Sequence, residues 1–254
     1  MLYIIAFIFG SIWGSFSNVC IYRIPKNMGI IKDRSFCPNC QKMIKWYDNI
    51  PLLSFIILKA QCRNCSAGIN WNYFLVELIA AISFVIIFYF FGISFTTLLF
   101  FILSICFIVI FFIDLKHFII PNEITYPLMV IGFLKSFDPN LNSSLFPNFI
   151  NSLIGGLFGF AIIWLIIFIY KKLRNKEGMG LGDAKLLSAM GFWFGWVSIP
   201  FIIFFSSAIA LLSVIPDLIK NKKKLSSQIP FGPHLIIGNV IFITLINQIK
   251  LFLI

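Results

Sequence analysis

Nine carboxylates are all the acid chemistry this 254-residue chain can draw on: Asp33, Asp48, Asp114, Asp138, Asp183, Asp217, Glu77, Glu123 and Glu177. Two of them stand where helix stability does not call for them. Asp114 closes the apolar run FFID, just before LKHFIIPNEIT. An acid in the last turn of a helix opposes a macrodipole that is already negative there. Its charged form also loses solvation at the edge of hydrocarbon. A solvated residue at a helix end is the plain alternative. Asp183 follows Gly178, Gly180 and Gly182, glycines at every second position that leave a backbone free of side-chain obstruction. Such a backbone suits close approach by another chain. Asp183 then opens an apolar helix, where an N-cap role is the plain alternative. The run is not a phosphate loop, because no Gly-Lys-Ser/Thr follows.

Two carboxylates brought together cannot both ionise easily and hold a shared proton near neutral pH. One can then activate water while the other protonates a scissile carbonyl. Competing hydrolytic sets are absent from the sequence. His117 and His234 are the only histidines, and neither a GxSxG elbow nor an HExxH motif occurs.

Four cysteines make a second constellation, Cys37-Pro-Asn-Cys40 and Cys62-Arg-Asn-Cys65, with 21 residues between the pairs. Each pair grips one face of a metal, and two pairs complete a tetrahedron. A structural zinc site is the favoured reading; an iron–sulfur centre, a thiol redox pair and an apo site are the alternatives. Cys20 and Cys106 lie in apolar runs and read as core residues.

The elements that must carry these residues are set by composition. Sixty per cent of the chain is apolar and only 11% charged, with a mean hydropathy of +0.98. Soluble domains average about 25% charged residues, so an ordinary cytosolic enzyme is excluded, and so is a disordered chain. Lipid is the solvent these runs imply. Spans of roughly 20 apolar residues fall near 1–22, 73–92, 95–115, 148–170 and 234–254. Shorter candidates fall at 118–134, 185–198 and 200–217. Residues 185–217 form either one helix kinked at Pro200 or two short spans turning near Ser198.

Charge placement favours two. The net charge is +11, and an eight-span layout puts eighteen of the 20 Lys and Arg residues on one side, leaving Lys135 and Lys250 near the other. The positive-inside rule makes that side cytoplasmic, with both termini facing outward. The basic balance is then topology rather than a nucleic-acid footprint. The first run lacks a basic segment ahead of it and reads as a permanent span, not a secretory signal. Asp114 and Asp183, 69 residues apart, meet at the cytoplasmic face in this layout, and the four cysteines fall in a reducing compartment where structural disulfides are not expected. The expected organisation is an all-α polytopic membrane protein. It has a first span at 1–22, a zinc-ribbon-like cytoplasmic domain at 23–72, and a bundle at 73–254 whose acid-bearing core covers about 95–217.

GMGLGDAKL, with Asp114 upstream in IDLKHFIIPNEIT, resembles the GxGD aspartyl proteases of the type IV prepilin peptidase family. GSFSNVCIYRIP at 14–25, WYDNIPLLSF at 46–55, NWNYFLVEL at 70–78 and IPFGPHL at 229–235 resemble further family motifs in the same order. The resemblance implies that Asp114 and Asp183 are the catalytic pair, supported by Gly178, Gly180, Gly182 and Lys185. It also implies an inner-membrane bacterial enzyme that removes the basic leader from prepilins or pseudopilins at the cytoplasmic face. Methylation of the new N-terminus with S-adenosylmethionine, and zinc at Cys37, Cys40, Cys62 and Cys65, are further implications. No glycine-rich loop for S-adenosylmethionine is visible. Glu77 matches a family glutamate, and its place inside a span is costly unless it is paired. Asn122 stands where an aspartate is often found, which leaves Asp114 as the acid, and Asn72-Tyr73 replaces the usual Tyr-Pro pair. The rival readings are a presenilin-like protease of other substrates, a membrane thiol oxidoreductase using the CxxC pairs, and a transporter using Asp114, Asp183 and Glu77. The last is weakened because these acids lie near one face, not at the midplane.

Overall fold

The computed structural model describes residues 1–30, 35–141, 145–175, 178–219 and 229–253. Asp33 and Glu177, and seven of the eighteen cations assigned to the cytoplasmic side (Lys32, Arg34, Lys176, Lys220 and Lys222–Lys224), lie outside them. The described residues form nine α-helices: α1 (Leu2–Arg23), α2 (Leu53–Ile57), α3 (Trp71–Phe91), α4 (Phe95–His117), α5 (Asn122–Leu134), α6 (Phe149–Arg174), α7 (Leu181–Phe194), α8 (Ser198–Ile219) and α9 (Gly232–Leu253). No strand is present among them, only two isolated bridges. The all-α architecture expected of this composition is what the chain adopts.

Among the described residues, five stretches are long and apolar enough to cross a bilayer: Leu2–Lys26, Trp71–Phe91, Phe95–His117, Phe149–Arg174 and Ser198–Ile215. Local signals end these helices where the sequence offers them. The Asn70 side chain accepts from the Asn72 N–H at 2.9 Å to open α3, and Gly92 with φ +58° closes it. Asn148 accepts from the Asn151 N–H at 3.0 Å to open α6, whose last turn carries Lys171, Lys172 and Arg174 beside the negative end of the dipole. Residues 185–217 belong to two helices, as the charge count favoured. The break is at Gly195, with φ +81°. Pro200 sits in the first turn of α8, where a missing N–H costs nothing.

The chain divides into two compact units, Met1–Val109 and Ile110–Ile254. In the first, α1 lies against α3 through Gly10 and Gly14, a small-xxx-small pair of the kind that lets helix backbones approach in lipid. A Cβ at Gly14 would fall 2.7 Å from the Glu77 Cα, and one at Gly10 would fall 2.8 Å from the Ala81 Cα. The second unit is built around α7. Its 14 residues cover about 21 Å, short of a hydrocarbon core of about 30 Å. Most of the helix is buried, on several faces, by neighbouring elements. Protein rather than lipid surrounds it, which accommodates its length. Ser188 Oγ donates to the Gly156 carbonyl at 2.8 Å and Ser152 Oγ donates to the Phe192 carbonyl at 2.7 Å, joining α6 and α7. Trp193 Nε1 donates to the Leu128 carbonyl at 2.8 Å, joining α7 and α5.

Candidate functional site

Asp114 occupies the last turn of α4, where the sequence placed it, and is only 4% exposed. A solvated helix end is therefore not its situation. Its Oδ2 accepts the main-chain N–H of Gly232 at 3.0 Å. A Cβ at Gly232 would lie 2.7 Å from that oxygen, so only glycine lets the amide come so close. The residue belongs to the IPFGPHL stretch, and the glycine itself is the only trace in residue type of a donor role carried by the backbone. His234, two residues on, is held between the Pro230 carbonyl at 2.9 Å and Ser213 Oγ at 3.1 Å.

Asp183 is 8% exposed and lies in the first turn of α7. The helix begins one turn earlier than the apolar pattern indicated: its N-cap is Gly180, which makes no side-chain bond, so Asp183 is not the cap. Asp114 acts on Asp183 electrostatically, and both carboxylates belong to the second unit. The three glycines before Asp183 have different surroundings. A Cβ at Gly178 would strike the Tyr170 ring at 2.7 Å, and one at Gly182 would strike Ile120 Cβ at 2.9 Å. A Cβ at Gly180 would meet nothing nearer than Asp183 Oδ2 at 3.8 Å. Two glycines thus serve close packing, while the third keeps the approach to the carboxylate open. Lys185 Nζ donates to Asn122 Oδ1 at 2.8 Å and stands over the Tyr126 ring, which ties α7 to α5.

The four cysteines converge. Their Sγ atoms all lie within 4.8 Å of one another, with Cys37 and Cys65 3.9 Å apart. Four thiolates around one ion at about 2.3 Å stand roughly 3.8 Å apart in a tetrahedron, so the set fits a single metal ion. A multi-iron cluster spreads its thiolates over several metal atoms and fits less well. The two halves repeat one backbone pattern. Gln41 N–H donates to the Cys37 carbonyl at 2.8 Å and Ser66 N–H to the Cys62 carbonyl at 2.9 Å. Gln41 and Ser66 both take positive φ, +57° and +54°. Between the halves, Arg63 grips Asp48 with Nε 2.9 Å from Oδ2 and Nη2 2.6 Å from Oδ1. The guanidinium holds the Asp48 carboxyl below the ordinary carboxylate range.

Glu77, in the first two turns of α3, is paired as its depth demands. Its Oε2 accepts the Leu52 N–H at 2.8 Å. Leu52 has φ +61° and ψ −49°, and the Leu53 N–H reaches the Pro51 carbonyl at 2.6 Å. This is a γ-turn, a strained geometry that the glutamate helps hold. Glu77 is not among the groups around Asp114 and Asp183; it belongs to the first unit.

Two family models match the chain: the Bacterial Peptidase A24 N-terminal domain over residues 8–91 and the Type IV leader peptidase family over residues 101–215. The chain is similar to three proteins named prepilin leader peptidase/N-methyltransferase. That of Aeromonas salmonicida (strain A449) is 33% identical over 92% of this chain and 87% of its own length. That of Vibrio cholerae serotype O1 is 36% identical over 94% of this chain and 96% of its own. That of Pseudomonas aeruginosa is 31% identical over 94% and 89%. No solved structure matches the chain. Helices able to span a bilayer, the buried acids of α4 and α7 and the agreement over nearly the whole length have one reading: this multi-pass membrane protein belongs to the type IV leader peptidase family.

Proposed function

We propose that the chain is an aspartyl endopeptidase that removes the basic leader from type IV prepilins or pseudopilins at the cytoplasmic membrane face, and that it N-methylates the new terminus. The observation that carries the peptidase reading is the pair of buried carboxylates, Asp114 and Asp183, with the open approach at Gly180 beside the second. With one proton shared between them, one carboxylate takes a proton from water as it attacks the scissile carbonyl. The other gives its proton to the carbonyl oxygen. Collapse of the tetrahedral intermediate then breaks the C–N bond, and a proton from the pair leaves with the amine. The Gly232 amide orients Asp114 for this exchange, and Lys185 fixes the N-terminal part of α7 through Asn122.

The wider assignment follows the same reading. Residues 23–72 form a cytoplasmic domain held by zinc at Cys37, Cys40, Cys62 and Cys65, and 73–254 form the bundle. A prepilin is an apolar helix with a basic leader, so its helix lies among the spans while the cut site reaches the cytoplasmic edge. The names of the relatives supply the methylation, for which S-adenosylmethionine donates the methyl group when bound. Co-expression with a candidate prepilin, followed by mass spectrometry of the pilin N-terminus, tests both activities. Asp114→Asn and Asp183→Asn should each leave the leader attached while the protein accumulates in membranes. Normal processing by either variant overturns the assignment.

A further inference from the structure

The run IPLLSFIIL at 50–58 carries no charge, in the middle of a loop that is otherwise polar and basic. It is too short to cross a bilayer, which takes roughly 20 residues. Its helical part, α2, is apolar on both sides. Leu52 at the N-cap and Phe55 turn inward and are buried. The Phe55 ring lies 5.0 Å from that of Trp71 and 5.2 Å from that of Phe74. It lines a cavity of about 300 Å³ on which three stretches, GSFSNVCIYRIP, WYDNIPLLSF and NWNYFLVEL, converge. Leu53, Ile56 and Ile57, three and four positions apart, share the opposite face, where Ile56 is 63% and Ile57 71% exposed. A helix that is apolar all round has no face for water.

The place of α2 along α3 sets its depth. Trp71 begins the membrane-capable stretch Trp71–Phe91. The Leu52 N–H donates to Glu77 Oε2, and Glu77 lies about 9 Å further along α3 than Trp71, at about 1.5 Å per residue. Interfacial helices rest about 5–10 Å into the boundary between headgroups and acyl chains, a depth that α2 reaches beside α3. Leu75, Ile79, Ile82 and Ile86 form an exposed apolar stripe on α3 that runs up to Trp71, itself exposed and of the type that lipid–water boundaries favour. The uncovered face of α2 continues this lipid-facing surface. Lipid also requires irregular backbone to be satisfied within the protein. The Leu53 N–H donates to the Pro51 carbonyl, and the Ser54 N–H and Oγ both donate to the Ile50 carbonyl, at 3.0 Å and 2.7 Å. With Leu52 on Glu77, the turn into α2 closes these donors without water.

We propose that α2 is an interfacial anchor: Leu53, Ile56 and Ile57 seat among the acyl chains of the leaflet where α3 begins and hold the four-cysteine loop against that surface. Lys59 follows α2 directly and is exposed. With Lys42, Lys45 and Arg63 it outnumbers the one acid, Asp48, among the described residues of the loop. That excess of cations complements anionic phospholipid headgroups. The anchor is independent of the peptidase reading, and it places the loop on the membrane rather than in bulk water.

The test uses the full-length protein, one copy per nanodisc of phosphatidylcholine and phosphatidylglycerol. A nitroxide is attached through p-acetylphenylalanine in place of Ile57, or of the exposed Asn64 as a water-facing reference, so every cysteine stays untouched. Power-saturation electron paramagnetic resonance compares collisions with oxygen, which dissolves in hydrocarbon, and with a polar nickel chelate, which does not. The ratio of oxygen to nickel collisions at position 57 should exceed that at position 64 by about tenfold, because hydrocarbon excludes the polar chelate. On the native chain, a phospholipid with a photoreactive diazirine in its acyl chain should label peptides containing 50–58 as well as those of α3, a readout that needs no variant to fold. Equal ratios at the two positions, or labelling of α3 that spares 50–58, overturns the proposal. So does shielding of position 57 that appears only after a prepilin is added, which gives the face to substrate. Shielding that appears only in vesicles holding several copies gives it to a second chain and overturns the proposal equally.

Discussion

A methyl group placed on Gly180 and one placed on Gly182 ask different questions of the same helix start. At Gly180 it stands 3.8 Å from Asp183 Oδ2, in ordinary contact, with nothing closer. Gly180→Ala should therefore fold and insert as the native chain does, while cleavage falls by about tenfold to a hundredfold as the extended substrate backbone is held off the carboxylate. Thermal unfolding in detergent and a prepilin cleavage assay separate the two effects. At Gly182 the methyl meets Ile120 Cβ at 2.9 Å, so Gly182→Ala should lower stability by about 1–3 kcal/mol through overpacking. The sequence shows three equivalent glycines because spacing cannot say what each one faces. Both aspartates were legible from their cost, an acid against a helix dipole and an acid at the head of an apolar run. The Gly232 amide beside Asp114 was not, since a glycine in sequence marks a close approach without saying what approaches, and the acid lies 118 residues away.

At the scale of elements, the four-cysteine loop carries one ion pair and, on the function proposed above, would also depend on a bound metal ion. Its core holds few apolar side chains, so a bound ion supplies much of its folding free energy. Stripping the metal with a chelator should loosen residues 35–70 to hydrogen exchange while the α6–α7 pair stays protected, as mass spectrometry of exchanged peptides would show. Acid acts on the same loop through Asp48. Its carboxyl is lowered by Arg63, so the pair contributes fully above the unfolded value of about 4 and its contribution disappears as pH falls through the lowered value. Metal release on thiolate protonation also weakens the loop in acid. Asp48→Asn should therefore be less stable than the native chain near neutral pH, and the difference should close on acidification. Trp46 and Trp71 fluorescence reports it. The helices were legible from apolar length, and of the two readings of 185–217 the turn near Ser198, where α8 begins, is the one the structure has, rather than a kink at Pro200. Proline breaks a helix interior, whereas Pro200 lies in a first turn; Gly195, able to take φ +81°, makes the break.

For the whole molecule, the distribution of charge sets the expected orientation. Among the described residues, Lys135 is buried at 6% exposure, its ammonium 3.9 Å from the centre of the Phe146 ring. A green fluorescent protein fused after Lys59 should fluoresce, and alkaline phosphatase fused after Phe137 should be active. The opposite pattern would invert the topology. The membrane-spanning character was readable from hydropathy because lipid imposes apolar length, and the expected sidedness rests on lysine placement. The small-residue contacts at Gly10 and Gly14, and the gathering of three distant stretches around one cavity, depend on which helix lies beside which, and hydropathy is silent on that. Glu77 and Asp114 share one further trait: each is held by a main-chain N–H, from Leu52 and Gly232 respectively. An alanine scan alters side chains and leaves both donors in place, so it would record these acids as having no such partner. Exchanging the Leu52 or Gly232 amide for an ester deletes the donor and spares every side chain, and that chemical mutation is the one that reads how firmly the backbone grips the acids.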